Sequence, residues 1–122
     1  MPGDRVLVVD DDESIRLIVR LCLSDAGYVV AEAANGQAAL AMADEFQPAL
    51  IILDLRMPIM DGWEFIRQYR ARPGLHAPIV GFVAALDAAE ECRDLELDGL
   101  VSKPFDLDDL LQTVRSQIPI VT

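Results

Sequence analysis

Asp10 and Asp11 close the apolar run "RVLVV", Asp54 closes "ALIILD", and Lys103 closes "GLVSK". Held together, three ionised carboxylates would repel unless one were protonated or a cation joined them. A hard divalent ion that prefers oxygen ligands and keeps several waters, Mg²⁺ above all, is the natural partner for such a set. With an ammonium beside it, the same set can neutralise the oxygens of a phosphoryl group while a carboxylate attacks phosphorus. These residues lie far apart along the chain. The chemistry is available only if the fold carries the ends of their runs to one place.

The pattern of apolar residues provides such a fold. "RVLVV" is a short β-branched run, and from Ser14 to about Ala26 the residues Ile15, Ile18, Val19, Cys22 and Ala26 recur at helical spacing until Gly27. "YVVAEA" (28–33) reads as a weaker second strand, Asn35-Gly36 opens an Ala-rich helix to about Glu45, and "ALIILD" is the third strand. Gly62 to Arg70 places Trp63, Ile66 and Tyr69 on one side of a short helix, and Pro73-Gly74 is a turn before the fourth strand, "APIVGFVAA". A helix with a thin apolar face is predicted from Asp87 to about Leu97, "GLVSK" is the fifth strand, and Asp106–Ile118 carries the clearest helical stripe. Strict strand–helix alternation implies an α/β sandwich on a parallel sheet covered on both faces, a single domain over 1–122. In such a sheet the carboxyl ends of all strands share one edge, where ligands bind. Neighbouring first and third strands would bring Asp10, Asp11 and Asp54 together there, with Lys103 at the same edge.

Composition narrows the classes. With 122 residues the chain suits one continuous core, and 52% hydrophobic against 25% charged residues argues against a membrane protein. No apolar run approaches the roughly 20 residues that span a bilayer, and the start resembles no signal peptide, so a cytoplasmic protein is expected. A formal net charge of −11 disfavours direct contact with nucleic acid or anionic lipid. Cys22 and Cys92 lack the spacing of a disulfide or metal pair.

A plainer reading competes for the acids. Strand-end acids often cap the next helix, and Ser14 or Asp12 could do so here. Asp54 and Lys103 at matching strand ends tip the balance towards chemistry.

The segments "VLVVDDDESIR", "IILDLRMPIMDG" and "VSKPF" resemble, in order and spacing, the signature segments of the response-regulator receiver domain, and the resemblance covers essentially the whole chain. It implies a flavodoxin-like (CheY-like) doubly wound sheet of five parallel strands in the order 2-1-3-4-5, with five helices. It makes Asp54 the phosphoacceptor, served by a phosphohistidine of a sensor histidine kinase or phosphotransfer protein. Asp11, Asp54 and the backbone carbonyl of Arg56 would ligate Mg²⁺, Asp10 would act largely through water, and Lys103 would pair with phosphoryl oxygens. The Lys103-Pro104 bond would be cis, while Pro58 and Gly62 would shape the loop beside the acceptor. Output would pass by protein contacts to a downstream target, and many receivers form homodimers through the fourth and fifth strand–helix region.

Two positions depart from the family. Alignment from Pro78 puts Val83 where a Thr or Ser is usual, and Leu100 where many receivers carry the Tyr or Phe that swings inward on activation. Valine keeps the shape of threonine without the donor, which removes a hydrogen bond to a charged group worth about 1.5–3 kcal/mol. The segment between Val83 and Lys103 is also slightly short. Either residue could be ordinary apolar packing, but together they suggest a receiver whose chemistry is kept and whose output is weakened or rerouted.

Three other functions compete with a phosphorylated switch that is not an enzyme beyond its own phosphorylation and dephosphorylation. A pseudo-receiver would bind partners without phosphate. A haloacid-dehalogenase-like phosphatase would need a second acid after Asp54, but Asp54-Leu55-Arg56 lacks one. A flavodoxin would need a Ser/Thr-rich phosphate loop after the first strand. Trp63 reads as packing, His76 as a surface-loop residue, and Arg67, Arg70 and Arg72 as a solvated basic patch. The chain either works alone or is the receiver portion of a longer polypeptide.

Overall fold

The computed structural model describes residues 3–57, 59–84 and 96–119. Nine elements are described along it: β1 (Arg5–Val9), α1 (Glu13–Asp25), β2 (Val29–Ala33), α2 (Gly36–Phe46), β3 (Leu50–Asp54), α3 (Gly62–Ala71), β4 (Ile79–Ala84), β5 (Gly99–Lys103) and α4 (Leu107–Gln117). The expected helix over 87–97 and the reading of Pro58 fall almost wholly or wholly outside the described residues, as does Cys92. Four helices are therefore described where five were expected.

All strand pairings are parallel and the sheet order is β2-β1-β3-β4-β5. Val6 to Val9 and Leu50 to Leu53 have no exposed surface, which explains why both strands are apolar throughout instead of alternating. One face packs Leu7, Val9, Ile51 and Leu53 against α2 and α3; the other packs Val6, Val8, Ile52 and Phe82 against α1 and α4.

Each described helix is opened by an Asx side chain that accepts from early backbone N–H groups. Asp12 accepts from Ser14 (2.8 Å), Asn35 from Ala38 (2.8 Å), Asp61 from Glu64 (3.0 Å) and Asp106 from Asp108 (2.7 Å). The capping explanation therefore holds for Asp12. In α1 the buried residues are Val19 and Leu23, whereas Ile18, expected on the inner stripe, is 46% exposed. Ile15 and Ala26 of the expected stripe pack partly buried against the same cluster as Val19 and Leu23, so the inner face is the expected one with Leu23 added and Ile18 left out.

The loop from β3 to α3 is held closely. A Cβ on Gly62 would lie 2.6 Å from the Leu55 Cα, so this glycine serves a backbone contact and not flexibility. Ile59 adopts φ 71° and is 82% exposed, a left-handed conformation costly for a β-branched side chain that packs on little. Ile59→Gly is therefore expected to stabilise the fold by about 1 kcal/mol after the entropic cost of glycine, read as a higher urea midpoint at unchanged slope.

Candidate functional site

The carboxyl edge of the sheet gathers the four groups singled out by spacing. Carboxylate oxygens of Asp10, Asp11 and Asp54 lie within 4.8 Å of one another, and among the described residues they form a candidate metal-holding group. Lys103 Nζ is 3.0 Å from Asp10 Oδ2 and 3.3 Å from Asp54 Oδ2. Asp10 and Asp54 are buried, while Asp11 is exposed. Their meeting follows from topology: β1 lies beside β3, Asp54 is the register partner of Phe82, and Ala84 is the partner of Lys103. The Lys103-Pro104 peptide is cis, as expected.

Asp10 is fixed at every polar atom. Its N–H donates to the Ala33 carbonyl (3.1 Å), and its own carbonyl accepts from Arg16 Nη1 (2.7 Å). Its carboxylate accepts from the Asp12 N–H (2.9 Å) and from Lys103. Asp54 is held more lightly, by the Arg56 N–H at 3.1 Å and by Lys103. Burial, together with the charge of Asp10, pushes the Asp54 carboxyl up to about 6 against the pull of the Arg56 N–H and Lys103. Burial alone would lower the Lys103 ammonium, but its hydrogen bond to Asp10 and the charges of Asp10 and Asp54 leave it above its ordinary value.

A divalent cation fits this edge. The donors are all oxygens, they are close enough to share an ion, and one lysine does not compensate three acids. Burial first, and then the charge of Asp10, raise the Asp54 pKa, and a cation bound here would offset both. Asp11, facing solvent, leaves room for retained waters.

The two departing positions are both on the α2/α3 face. Val83 is 5% exposed and packed in the core. Leu100 is 41% exposed and pairs in register with Gly81, where an added Cβ would come within 3.3 Å of the Leu100 Cδ2 and 2.8 Å of the Leu97 Cδ1. Leucine thus covers a glycine at the position where an aromatic is usual.

Several residues near the site were not legible beforehand. The Phe82 ring lies 5.8 Å below Lys103 Nζ and stacks on Phe105 at 5.0 Å, forming an apolar floor under the ammonium. Arg16 and Glu32 are a second case, because their contact joins α1 to β2. Trp63 packs partly buried against the core with the Arg56 guanidinium 5.9 Å from its ring. His76 is exposed, with Nε2 2.7 Å from the Arg72 carbonyl and its ring edge on Tyr69. The presumed basic patch is dispersed: Arg67 pairs with Glu64, Arg70 donates to the Glu96 carbonyl, and Arg72 to the Leu40 carbonyl.

This edge of a 2-1-3-4-5 sheet, with paired acids after β1, an acid after β3 and a lysine after β5, is the arrangement of response-regulator receivers. The family model described as response regulator receiver domain matches residues 6–115, and the chain belongs to that family. It is 30% identical over 121 residues to sporulation initiation phosphotransferase F of Bacillus subtilis (strain 168), spanning 98% of each chain. It is 39% identical over 114 residues to response regulator MprA of Mycobacterium ulcerans, covering 92% of this chain and 49% of that protein. Among solved structures, the chemotaxis response regulator CheY4 of Vibrio cholerae aligns at TM-score 0.83 with 36% identity, over 92% of this chain and 96% of that one. The receiver domain of a response regulator from Bermanella marisrubri aligns at TM-score 0.86 with 32% identity, over 96% and 99%. The chain thus spans nearly all of some relatives and about half of others. No described helix is long and apolar enough to cross a membrane.

Proposed function

We propose that the protein is a phosphorylated switch or relay in a two-component system, with Asp54 as the acceptor. The observation that carries this reading is the convergence of Asp10, Asp11, Asp54 and Lys103 at one sheet edge. An Asp54 carboxylate oxygen attacks phosphorus of a phosphohistidine, the P–N bond breaks, and the departing imidazole takes up a proton. Lys103 exchanges its contact with Asp54 Oδ2 for a phosphoryl oxygen while Asp10 keeps hold of its ammonium. Asp11, Asp54 and the Arg56 carbonyl would hold Mg²⁺ directly, and Asp10 through water. When bound, Mg²⁺ supplies positive charge against the phosphoryl oxygens. The donor is a sensor kinase or phosphotransfer protein, and the cytoplasm is the compartment where such donors act. Beyond its own phosphorylation and dephosphorylation the chain performs no turnover.

Acetyl phosphate with Mg²⁺ tests the reading. An acid-stable, hydroxylamine-labile mass increase is expected in wild type, absent in Asp54→Asn and without Mg²⁺; an unmodified wild-type mass counts against it.

A second reading rests on Val83, whose side chain offers no donor to a phosphoryl group. In that case the chain is a pseudo-receiver, and a downstream partner binds wild type and Asp54→Ala with equal affinity.

A further inference from the structure

We infer that Arg16 is a positioning residue for the acidic site: by clamping the main chain of Asp10 to Glu32, it sets the affinity of the aspartate cluster for a divalent cation. The inference rests on the proposed role of that cluster as a Mg²⁺ site. Arg16 lies on α1, and its side chain is only 15% exposed. Nη1 donates to the Asp10 carbonyl at 2.7 Å, and Nε donates to Glu32 Oε1 at 3.2 Å. Glu32 sits near the carboxyl end of β2 and is also ion-paired with Arg20, Nε lying 2.9 Å from Oε2.

The peptide that Arg16 grips is the one joining Asp10 to Asp11. Asp10 points its carboxylate into the protein, towards Lys103, whereas Asp11 faces solvent. The orientation of that peptide therefore sets the separation of the two acids. Its N-terminal side is already fixed by the ladder bond from the Asp10 N–H to Ala33, but its carbonyl has no strand partner beyond the end of β1. Arg16 supplies the missing donor. A planar guanidinium can satisfy a carbonyl and a carboxylate at once in fixed geometry, which an ammonium cannot.

Glu32 also decides the electrostatics. A bare guanidinium beside three acids would oppose cation binding, and deleting it would tighten the site. With Glu32 paired to it, the charge is largely answered locally and the hydrogen bond is left as the main effect. The two roles therefore predict opposite signs. Outer partners that orient metal ligands commonly change affinity 10–100-fold when removed.

Calorimetric titration of the intact chain with MgCl₂ tests this, using wild type, Arg16→Gln, Arg20→Gln, Asp10→Asn and the Arg16→Gln/Asp10→Asn double variant. Arg16→Gln is expected to weaken Mg²⁺ binding about tenfold. Arg20→Gln, which touches Glu32 but not β1, should stay within about twofold of wild type. The Arg16 effect should shrink in the Asp10→Asn background, where one of the two acids that the clamped peptide spaces has lost its charge. Arg16→Lys, which cannot bridge both acceptors, should fall between and remains informative should the glutamine variant fold poorly. Unchanged or tighter binding in Arg16→Gln, or an equal loss in Arg20→Gln, overturns the inference. Wild type without Mg²⁺ affinity instead overturns the reading of the cluster itself.

Discussion

Asp54→Asn is expected to stabilise the metal-free protein at neutral pH while abolishing the modification. The Asp54 carboxyl sits at about 6, above its ordinary 3.8. Between those values the folded protein holds a proton that the unfolded chain has released. Stability contributed by this group is thus fully present below pH ~4 and lost as pH rises through ~6. Above that, folding must carry a buried carboxylate beside Asp10. A shift of about two units corresponds to roughly 3 kcal/mol, and asparagine, neutral at every pH, avoids it. Urea unfolding in EDTA should place Asp54→Asn about 2–3 kcal/mol above wild type at pH 7.5, with the gap closing towards pH 4. Millimolar Mg²⁺ should raise wild type and not the variant, because a cation bound only to the folded state stabilises it. A gap independent of pH would show that Asp54 carries no such burden.

The carboxyl edge that holds the site was readable from sequence because parallel strands impose a common direction. Once "RVLVV", "ALIILD" and "GLVSK" are strands of one parallel sheet, Asp10, Asp54 and Lys103 share its carboxyl edge, and the structure places them within hydrogen-bonding reach there. The strand order was another matter: apolar runs do not state their neighbours, and it came from resemblance to a family. The exposure of Ile18 escaped periodicity because Ile18 is as apolar as Leu23, so hydrophobicity alone could not choose which of the two the helix buries. Asp12 shows the converse. One of three consecutive aspartates is a helix cap, and the sequence left that role open between Asp12 and Ser14 until the backbone chose Asp12. Arg16 and Glu32 were invisible for a related reason. Their contact spans sixteen residues and depends on how α1 lies across β2, which no local pattern encodes.

Val83→Thr is expected to destabilise the unmodified state and stabilise the phosphorylated one, so that both changes move the balance towards phosphorylation. Val83 is 5% exposed among Leu53, Leu55 and neighbouring apolar side chains, an environment that rewards the valine. A hydroxyl placed there lacks a partner before phosphorylation and should destabilise the resting protein by about 1–3 kcal/mol. With a phosphoryl group on Asp54, one strand away, that hydroxyl gains a charged acceptor worth about 1.5–3 kcal/mol. Relative to wild type, the phosphorylated form should then be favoured by roughly ten-fold or more. Two measurements separate the contributions: the urea midpoint without phosphodonor, which should fall, and the steady-state fraction modified by acetyl phosphate, which should rise. In an Asp54→Asn background the first change should persist and the second should have no counterpart. Leu100 lies over Gly81, next along the same two strands, so any inward pull on residue 83 reaches a leucine and a glycine instead of a ring. Restored phosphoryl binding without a change in partner affinity would therefore locate the remaining break at Leu100. If Val83→Thr alters neither the midpoint nor the modified fraction, the hydroxyl at this position is not what distinguishes this receiver.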